Sequence, residues 1–306
     1  PKSIDRVYVP PIKCQGIKTK LVPFIADNIE WNGNGRWIEP FLGSGVVALN
    51  VQPNHAILTD NNKHIIQFYK NIQDKKIDER ITREYLVEMG AKLETRGEDF
   101  YYETREKFNK EGGSLPFLFL NRSCFNGMMR FNSKGGYNVP FGHKPKRFSK
   151  AYITKITNQV LFVRKLLSYK DWEFKVSDWK DVLNNTKSTD FVYLDPPYVG
   201  RHTDYFNNWT EKDAVDLALK TQSLPCGYAL SMWKENVFRK NFYLDDYWSE
   251  GEIRTFSHFY HVGSREKYRN EIVEALIIHP NYISKTNATF KKKPPIKEMT
   301  QPALIQ

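Results

Sequence analysis

Apolar residues fall in short runs along this chain, and the runs alternate with segments of helical spacing. Trp37-Ile38-Glu39 reads as a short strand, Phe41-Leu42-Gly43-Ser44-Gly45 as a glycine turn, and residues 46–51 as the start of a helix. Ala56-Ile57-Leu58-Thr59-Asp60 follows as a buried strand ending in a carboxylate, and a second helix runs to Tyr69. This order is the first half of a parallel α/β layer.

From about residue 81 to residue 150 the texture changes. Charge-laced helical stretches over residues 85–93 and 100–109 lead through Phe117-Leu118-Phe119-Leu120 into a Gly- and Asn-rich segment, residues 126–142. Ser133-Lys134-Gly135-Gly136 lies between Met129-Arg130-Phe131 and Tyr137-Asn138-Val139, which predicts a β-hairpin with a glycine turn. The α/β texture then resumes, with strands expected at 173–176, 191–194, 228–231 and 272–278 and a helix at 214–221. The pattern therefore predicts an α/β protein in which residues 1–80 and 151–283 form one discontinuous domain and residues 81–150 an inserted one. Residues 284–306, rich in Lys and Pro, are expected to be disordered.

Composition narrows the class. No apolar run approaches the roughly 20 residues of a membrane span, and residues 1–9 lack the apolar core of a secretion signal. Cys14, Cys124 and Cys226 are too few and too far apart for a disulfide framework or a Cys-x-x-Cys metal site, which fits a reducing cytoplasm. The histidines show no metal-ligand spacing, so no metal is expected. Lys and Arg number 46 against 35 Asp and Glu, a net charge of +11 that points to a polyanionic partner, although basic proteins without nucleic-acid partners exist.

The strongest chemical signal is Asp195-Pro196-Pro197-Tyr198, placed where an apolar strand ends and open α/β sheets hold ligands. Two successive prolines remove two N–H donors, leaving the Asp195 carboxylate and the Pro196 carbonyl as acceptors with a tyrosine ring alongside. Such a cluster suits an amino group: the acceptors can take both N6 hydrogens of adenine while Tyr198 stacks on the base. Taken alone, the segment also fits a proline-rich turn. The loop with Gly43 and Gly45 follows a strand, Glu39 precedes it, and Asp60 ends the next strand 17 residues after Gly43, where an acid meets ribose hydroxyls in nucleotide-type α/β sites. Neither a dinucleotide Gly-x-Gly-x-x-Gly nor a Walker lysine is present, so an adenosyl ligand without phosphates fits better than NAD or ATP. Arg122, Arg130, Lys134, Lys144, Lys146, Arg147 and Lys150 crowd the hairpin region, a DNA surface or a plain solvated basic face. Phe125 and Met128 flank Asn126-Gly127 as wedges for an opened base stack, and Ser264-Arg265-Glu266-Lys267 reads as a phosphate contact. Pro225-Cys226, the dipeptide of cytosine-C5 methyltransferases, lies beyond Asp195 and before a strand, so Cys226 is read as a buried structural thiol.

In content and order, from Pro11 to about Pro280, the chain resembles the Dam-type, α-group (D12 class) DNA adenine-N6 methyltransferases. The features are an N-terminal lysine segment, the Phe-x-Gly-x-Gly loop, an intervening recognition region and Asp-Pro-Pro-Tyr. The resemblance implies a Rossmann-like sheet that uses S-adenosyl-methionine, an inserted helical plus β-hairpin target-recognition domain, and base flipping in double-stranded DNA. It implies that Lys18 and Asp60 contact the cofactor, that Asp195 is shared between cofactor and adenine, and that Glu39, Pro40, Phe41 and Gly43 line the methionine part. Asp178 and Trp179 would hold the cofactor's adenine, with Cys14, Gly16, Gly45 and Asn61 completing the set. Many family members carry tryptophan where Cys14 stands. Lys13 would read a guanine next to the target. Phe125, Asn126, Met128, Arg130, Asn132 and Pro140 would occupy the recognition hairpin, with Arg201 beyond the catalytic motif.

The implied site begins GAT, and the chain's texture favours the modification enzymes of GATATC over GATC. A bacterial or phage-encoded, nucleoid-associated monomer is expected, and a modification role would bring a separately encoded endonuclease. Cytosine-N4 transfer more often starts the motif with Ser, and ribosomal RNA or protein-glutamine methylation with Asn. A DNA-binding regulator with a vestigial methyltransferase fold is the reading from outside enzymology.

Overall fold

The computed structural model describes residues 3–16, 18–198, 206, 208–236, 247–248, 251–261 and 269–285. Its strands are β1 (Trp37–Glu39), β2 (His55–Asp60), β3 (Asp171–Val176), β4 (Phe191–Leu194), β5 (Gly227–Asn236), β6 (Glu252–His261) and β7 (Arg269–Ile278). They form one sheet in the order β3-β2-β1-β4-β5-β7-β6. β3 through β5 are parallel, and β7 enters antiparallel between β5 and β6. This is the expected Rossmann-like arrangement. The sheet's central strands bury both faces, as parallel strands must. Trp37, Phe191 and Tyr193 join one apolar cluster, while their neighbours Ile38, Val192 and Leu194 join the other. The first cluster packs on helices that include α1 (Val22–Asn28), α2 (Val46–Val51) and α3 (Lys63–Gln73). The second packs on α7 (Trp179–Asn184) and α8 (Glu211–Gln222). The β6 strand escaped prediction because it is the outer strand, with exposed Glu252, Ile253, Thr255 and Ser257 that give no apolar run.

Strand order reverses between β1 and β4, where the connections lead away in opposite directions and leave a crevice at the carboxyl ends. These two strands are clamped at their starts. Arg36 donates from Nε to Asp190 Oδ1 at 3.0 Å and from Nη2 to Oδ2 at 2.6 Å. The same buried carboxylate accepts the backbone N–H of Arg36 at 3.1 Å and of Lys187 at 2.8 Å. Burial pushes the Asp190 carboxyl up, but the Arg36 bond and the two N–H groups hold it below its ordinary value. The clamp sets the register Trp37↔Phe191 and so aligns the ends that carry Glu39 and Asp195.

Residues 79–123 form α4 (Glu79–Glu111), broken at Gly97 (φ 59, ψ −132), and α5 (Ser114–Ser123); α6 (Lys150–Leu167) returns the chain to β3. Leu86, Leu93, Phe117, Leu120, Ile153 and Val160 on these helices share the apolar cluster of Trp37 and Phe68. The expected hairpin is looser than a strand ladder: the pair Phe131↔Tyr137 is an isolated antiparallel bridge. Two backbone bonds cross it, from the Asn132 N–H to the Gly136 carbonyl at 2.8 Å and from the Asn138 N–H to the Arg130 carbonyl at 3.2 Å, and side chains add to them. Asn132 Oδ1 accepts the N–H groups of Lys134 and Gly136, each at 3.0 Å. Asn109 pairs both ways with the Tyr137 backbone at 2.8 and 3.1 Å. No helix among the described residues is long and apolar enough to cross a membrane.

Asp190→Ala takes the buried acceptor from the partly exposed Arg36 guanidinium and from two backbone N–H groups. We expect a loss of about 2–3 kcal/mol, read from urea unfolding; a loss under about 1 kcal/mol would show that the clamp is dispensable.

Candidate functional site

A cleft of about 270 Å³ opens at the carboxyl ends of β1 and β4. Its floor is the turn after β1. Gly45 sits at φ 76, where a side chain is strained, and an added Cβ would lie 3.2 Å from the Tyr69 hydroxyl. That hydroxyl donates to the Ser44 carbonyl and fixes the turn from below. From the side, Asp60 at the end of β2 accepts the Gly43 N–H at 2.9 Å and the Asn62 N–H at 2.8 Å, one on each carboxylate oxygen. Asp178 caps α7 by accepting the Lys180 N–H at 2.9 Å, which turns Trp179 into the cleft wall. Trp209 closes that corner, edge-on to Phe41 at 5.5 Å and tilted against Trp179 at 6.0 Å.

Opposite lies the segment that leaves β4. Lys18 is 3% exposed, and its Nζ donates to the Tyr198 hydroxyl at 2.8 Å. The same ammonium lies 3.4 Å from Asp195 Oδ1 and 3.5 Å from Glu274 Oε2 on β7. Burial works against the Lys18 charge, yet Asp195, Tyr198 and Glu274 outweigh it and hold the ammonium well above its ordinary range. Asp195 is pushed up to about 6 by burial, with Lys18 opposing the rise and Glu274 adding to it. Glu39 is pushed up to about 8 by burial, against the Trp37 Nε1 bond at 2.7 Å, so it is largely protonated at neutral pH. Burial, Asp60 and Asp195 all raise the Cys14 thiol, which keeps it un-ionised.

Asp195, Pro196, Pro197 and Tyr198 all line the cleft, as do Cys14, Gly16, Lys18, Glu39, Pro40, Phe41, Gly43, Asp60, Asn61, Asp178 and Trp179. Gly45 does not; it supports the floor from behind. Sequence reading missed Trp209, Met129, Phe206 and Asp213 in the lining, and Glu274 behind it. Trp209 and Phe206 fall in a stretch without regular spacing. Glu274 had a readable signal, an acid inside the apolar run 272–278.

The residues expected to face DNA gather beside the cleft. Lys13 is tied at its backbone N–H and C=O to the Asn121 side chain at 2.7 and 2.9 Å. Its side chain runs over Gly127, where an added Cβ would stand 2.6 Å from Lys13 Cδ. Burial first, then Arg122, Arg147 and Lys155, lowers Lys13 to about 8. Phe125 and Asn126 are exposed next to it, and the Phe125 N–H meets the carbonyl of exposed Pro140 at 2.9 Å. Met128 is half-buried, Asn132 and Lys134 are exposed at the loop tip, and Arg130 leans on Asn138 at 2.9 Å. Arg122 departs from expectation. It is 3% exposed, donates to the Pro11 carbonyl at 3.2 Å and lies 4.9 Å from the Tyr152 ring, so it supports the surface without being part of it. Arg147 is half-buried over the same ring. Arg201, Ser264, Arg265 and Lys267, and the tail from residue 286, lie outside the described residues. Cys226 is buried, as a structural thiol should be.

Residues 15–262 match the family of D12 class N6 adenine-specific DNA methyltransferases. The chain belongs to this family. It is 30% identical over 229 residues to the Type II methyltransferase M.MjaIII of Methanocaldococcus jannaschii, covering 68% of this chain and 75% of that one. It is 35% identical over 167 residues to the DNA adenine methylase of Escherichia coli K12, covering 53% of this chain and 55% of that one, so the match spans about half of the latter's length. The DNA adenine methylase of Vibrio cholerae is 30% identical over 199 residues, 60% of this chain and 67% of that protein.

Methyltransferases of this family use S-adenosyl-methionine, a sulfonium cation joined to adenosine without phosphate. The cleft suits such a ligand. Among the described residues, its lining carries the acids Asp60, Asp178, Asp195 and Asp213, with Glu39 protonated, against the single base Lys18, and that base is already paired. Phe41, Trp179 and Trp209 offer ring faces for a purine. No group of three potential metal ligands occurs among the described residues.

Lys18→Met leaves the half-buried Asp195 and the buried Glu274 without their cation. We expect a loss of about 3–5 kcal/mol at pH 8. The deficit should shrink at pH 5.5, because a carboxyl raised further in the folded state takes up a proton there. Urea unfolding of both proteins at the two pH values checks this, and an equal deficit at both would contradict it.

Proposed function

We propose that this methyltransferase moves the methyl group of S-adenosyl-methionine to N6 of an adenine flipped out of double-stranded DNA. The observation that carries the reading is the meeting of the Asp195–Tyr198 segment with the Phe41–Gly43–Asp60 wall in one cleft. On this reading, acceptors for an amine stand beside a wall suited to a cationic adenosyl ligand. The cofactor supplies an electrophilic methyl group. The chain supplies orientation: Asp195 Oδ and the Pro196 carbonyl take the two N6 hydrogens, and Tyr198, anchored by Lys18, stacks on the base. At neutral pH an Asp195 carboxyl near 6 is mostly ionised. It can therefore accept the hydrogen bond before transfer and the surplus amine proton after it. No covalent nucleophile is needed.

Lys13 with the exposed Phe125, Asn126, Asn132, Lys134 and Pro140 supports a reading of residues 81–150 as the target-recognition domain, inserted between catalytic segments 1–80 and 151–283. The further texture of the chain, Val9-Pro10-Pro11-Ile12-Lys13 and residues 119–128, resembles the EcoRV modification methyltransferase. We therefore propose GATATC as the target and modification within a restriction system as the role, with GATC the alternative. The net charge of +11 supports a DNA partner, and a monomer suffices to act on one strand at a time.

Labelled methyl transfer to unmethylated plasmid, followed by sequencing of modified bases, tests this. N6-methyladenine in GATATC is expected. The mark in GATC would move the specificity, and no incorporation with DNA binding intact would favour the non-catalytic regulator. Asp195→Ala should abolish transfer with DNA affinity kept within a few-fold. Lys13→Ala and Arg130→Ala should relax sequence preference by about 1–3 kcal/mol each, measured as relative kcat/KM on single-base site variants. Equal loss on every sequence would make them phosphate contacts.

A further inference from the structure

Glu274 stands outside the motif residues and has no packing reason to be an acid. On β7, the residues two and four positions on, Leu276 and Ile278, lie in the same apolar cluster as Trp37 and Tyr193, while Ala275 and Ile277 lie in the cluster on the opposite face. Alternation puts Glu274 on the Leu276 face, where an apolar side chain would continue the stripe. The carboxylate is 5% exposed, and taking a carboxylate out of water is costly unless it is paired. Its Oε2 is 3.5 Å from Lys18 Nζ and 3.4 Å from the Tyr198 hydroxyl. Lys18 in turn is 3.4 Å from Asp195. Lys18 therefore lies within reach of two carboxylates, and Glu274 supplies the second.

We propose that Glu274 is a positioning residue for methyl transfer. It shares Lys18 with Asp195, holds the Tyr198 hydroxyl, and gives the pocket a negative charge that favours a cationic methyl donor over its neutral product. The inference rests on the functional reading above. With Asp195 alone, Lys18 would cancel the charge of the carboxylate that must accept the amine. With Glu274 present, Asp195 keeps its acceptor strength while Lys18 stays protonated. In the reaction the S–CH3 bond breaks, the N6–CH3 bond forms, and one positive charge passes from sulfur to the amine, which then sheds a proton. A fixed negative charge nearby favours the cation throughout and loses its hold once the neutral thioether remains.

Calorimetric titration of S-adenosyl-methionine and S-adenosyl-homocysteine into wild type and Glu274→Gln tests this without turnover. The glutamine keeps shape and hydrogen-bonding atoms and removes the charge. We expect Glu274→Gln to lose about tenfold in affinity for the sulfonium and about twofold or less for the thioether. The kcat should fall while the KM for DNA holds. Glu274→Asp, which keeps the charge, should retain the wild-type preference between the two ligands within about twofold. Equal losses on both ligands, no change on either, or an Asp variant that loses the preference would overturn the proposal. A wild type that binds both ligands yet methylates no DNA would sink the functional reading while the ligand preference still judges Glu274. A wild type that binds neither sinks both.

Discussion

The Lys18 ammonium has almost no water around it, and three partners stand in for the water. Tyr198 and Asp195 come from the loop that leaves β4, and Glu274 comes from the antiparallel β7. A buried cation of this kind is stable only while its partners stay within reach, so it pins the Asp195–Tyr198 loop to the N-terminal segment and to the far half of the sheet. The loop's two prolines restrict the backbone further. The Asp195 carboxylate is thus held by electrostatics on one side and by covalent stiffness on the other. Pre-organisation of that kind is what a reaction driven by orientation requires.

A second constraint works on the opposite wall. Asp60 binds the backbone at Gly43 and Asn62, so the end of β2 and the turn after β1 move as one piece. The Arg36–Asp190 clamp aligns β1 with β4 at their other ends. Together they fix the distance across the switch point between the Gly43–Asp60 wall and the Asp195–Tyr198 segment. Residues 81–150 are joined to the same framework by packing, since their helices share the apolar cluster of the sheet and Phe206 in the cleft lining stacks edge-on to Phe131 at 4.8 Å. Lys13 reaches that region from five residues before Lys18. One short N-terminal segment therefore touches both the Asp195 carboxylate and the loop at Gly127.

Much of this was legible in the sequence because it rests on local rules. The strands at 37–39, 55–60, 191–194 and 269–278 are apolar runs ending in turns, and the Gly43 and Asp195 segments announce themselves by residue type. What stayed hidden depends on contacts between distant residues. β6 has exposed polar positions and pairs only with β7, so its sequence carries no apolar signature. Arg122 reads as a surface base by composition, and the structure buries it against Pro11 and Tyr152, 111 residues earlier and 30 residues later in the chain. The hairpin residues were placed correctly as a turn, but the ladder is short, and asparagine side chains supplement the few backbone bonds that cross it. Glu274 left a trace, an acid inside the apolar run 272–278, but its partner Lys18 lies 256 residues away and is not legible from spacing.

The central claim is that an ionised Asp195, raised by burial and kept titratable near neutrality by Lys18, accepts the adenine amine. The pH dependence of kcat/KM for methyl transfer tests it most directly, because that ratio reports the free enzyme. A carboxyl at about 6 that must be ionised predicts a plateau above about pH 7 and a roughly tenfold fall per unit below the pKa. A rate that stays flat down to about pH 5 in folded protein would contradict the account, since the carboxylate would then be unnecessary or differently placed.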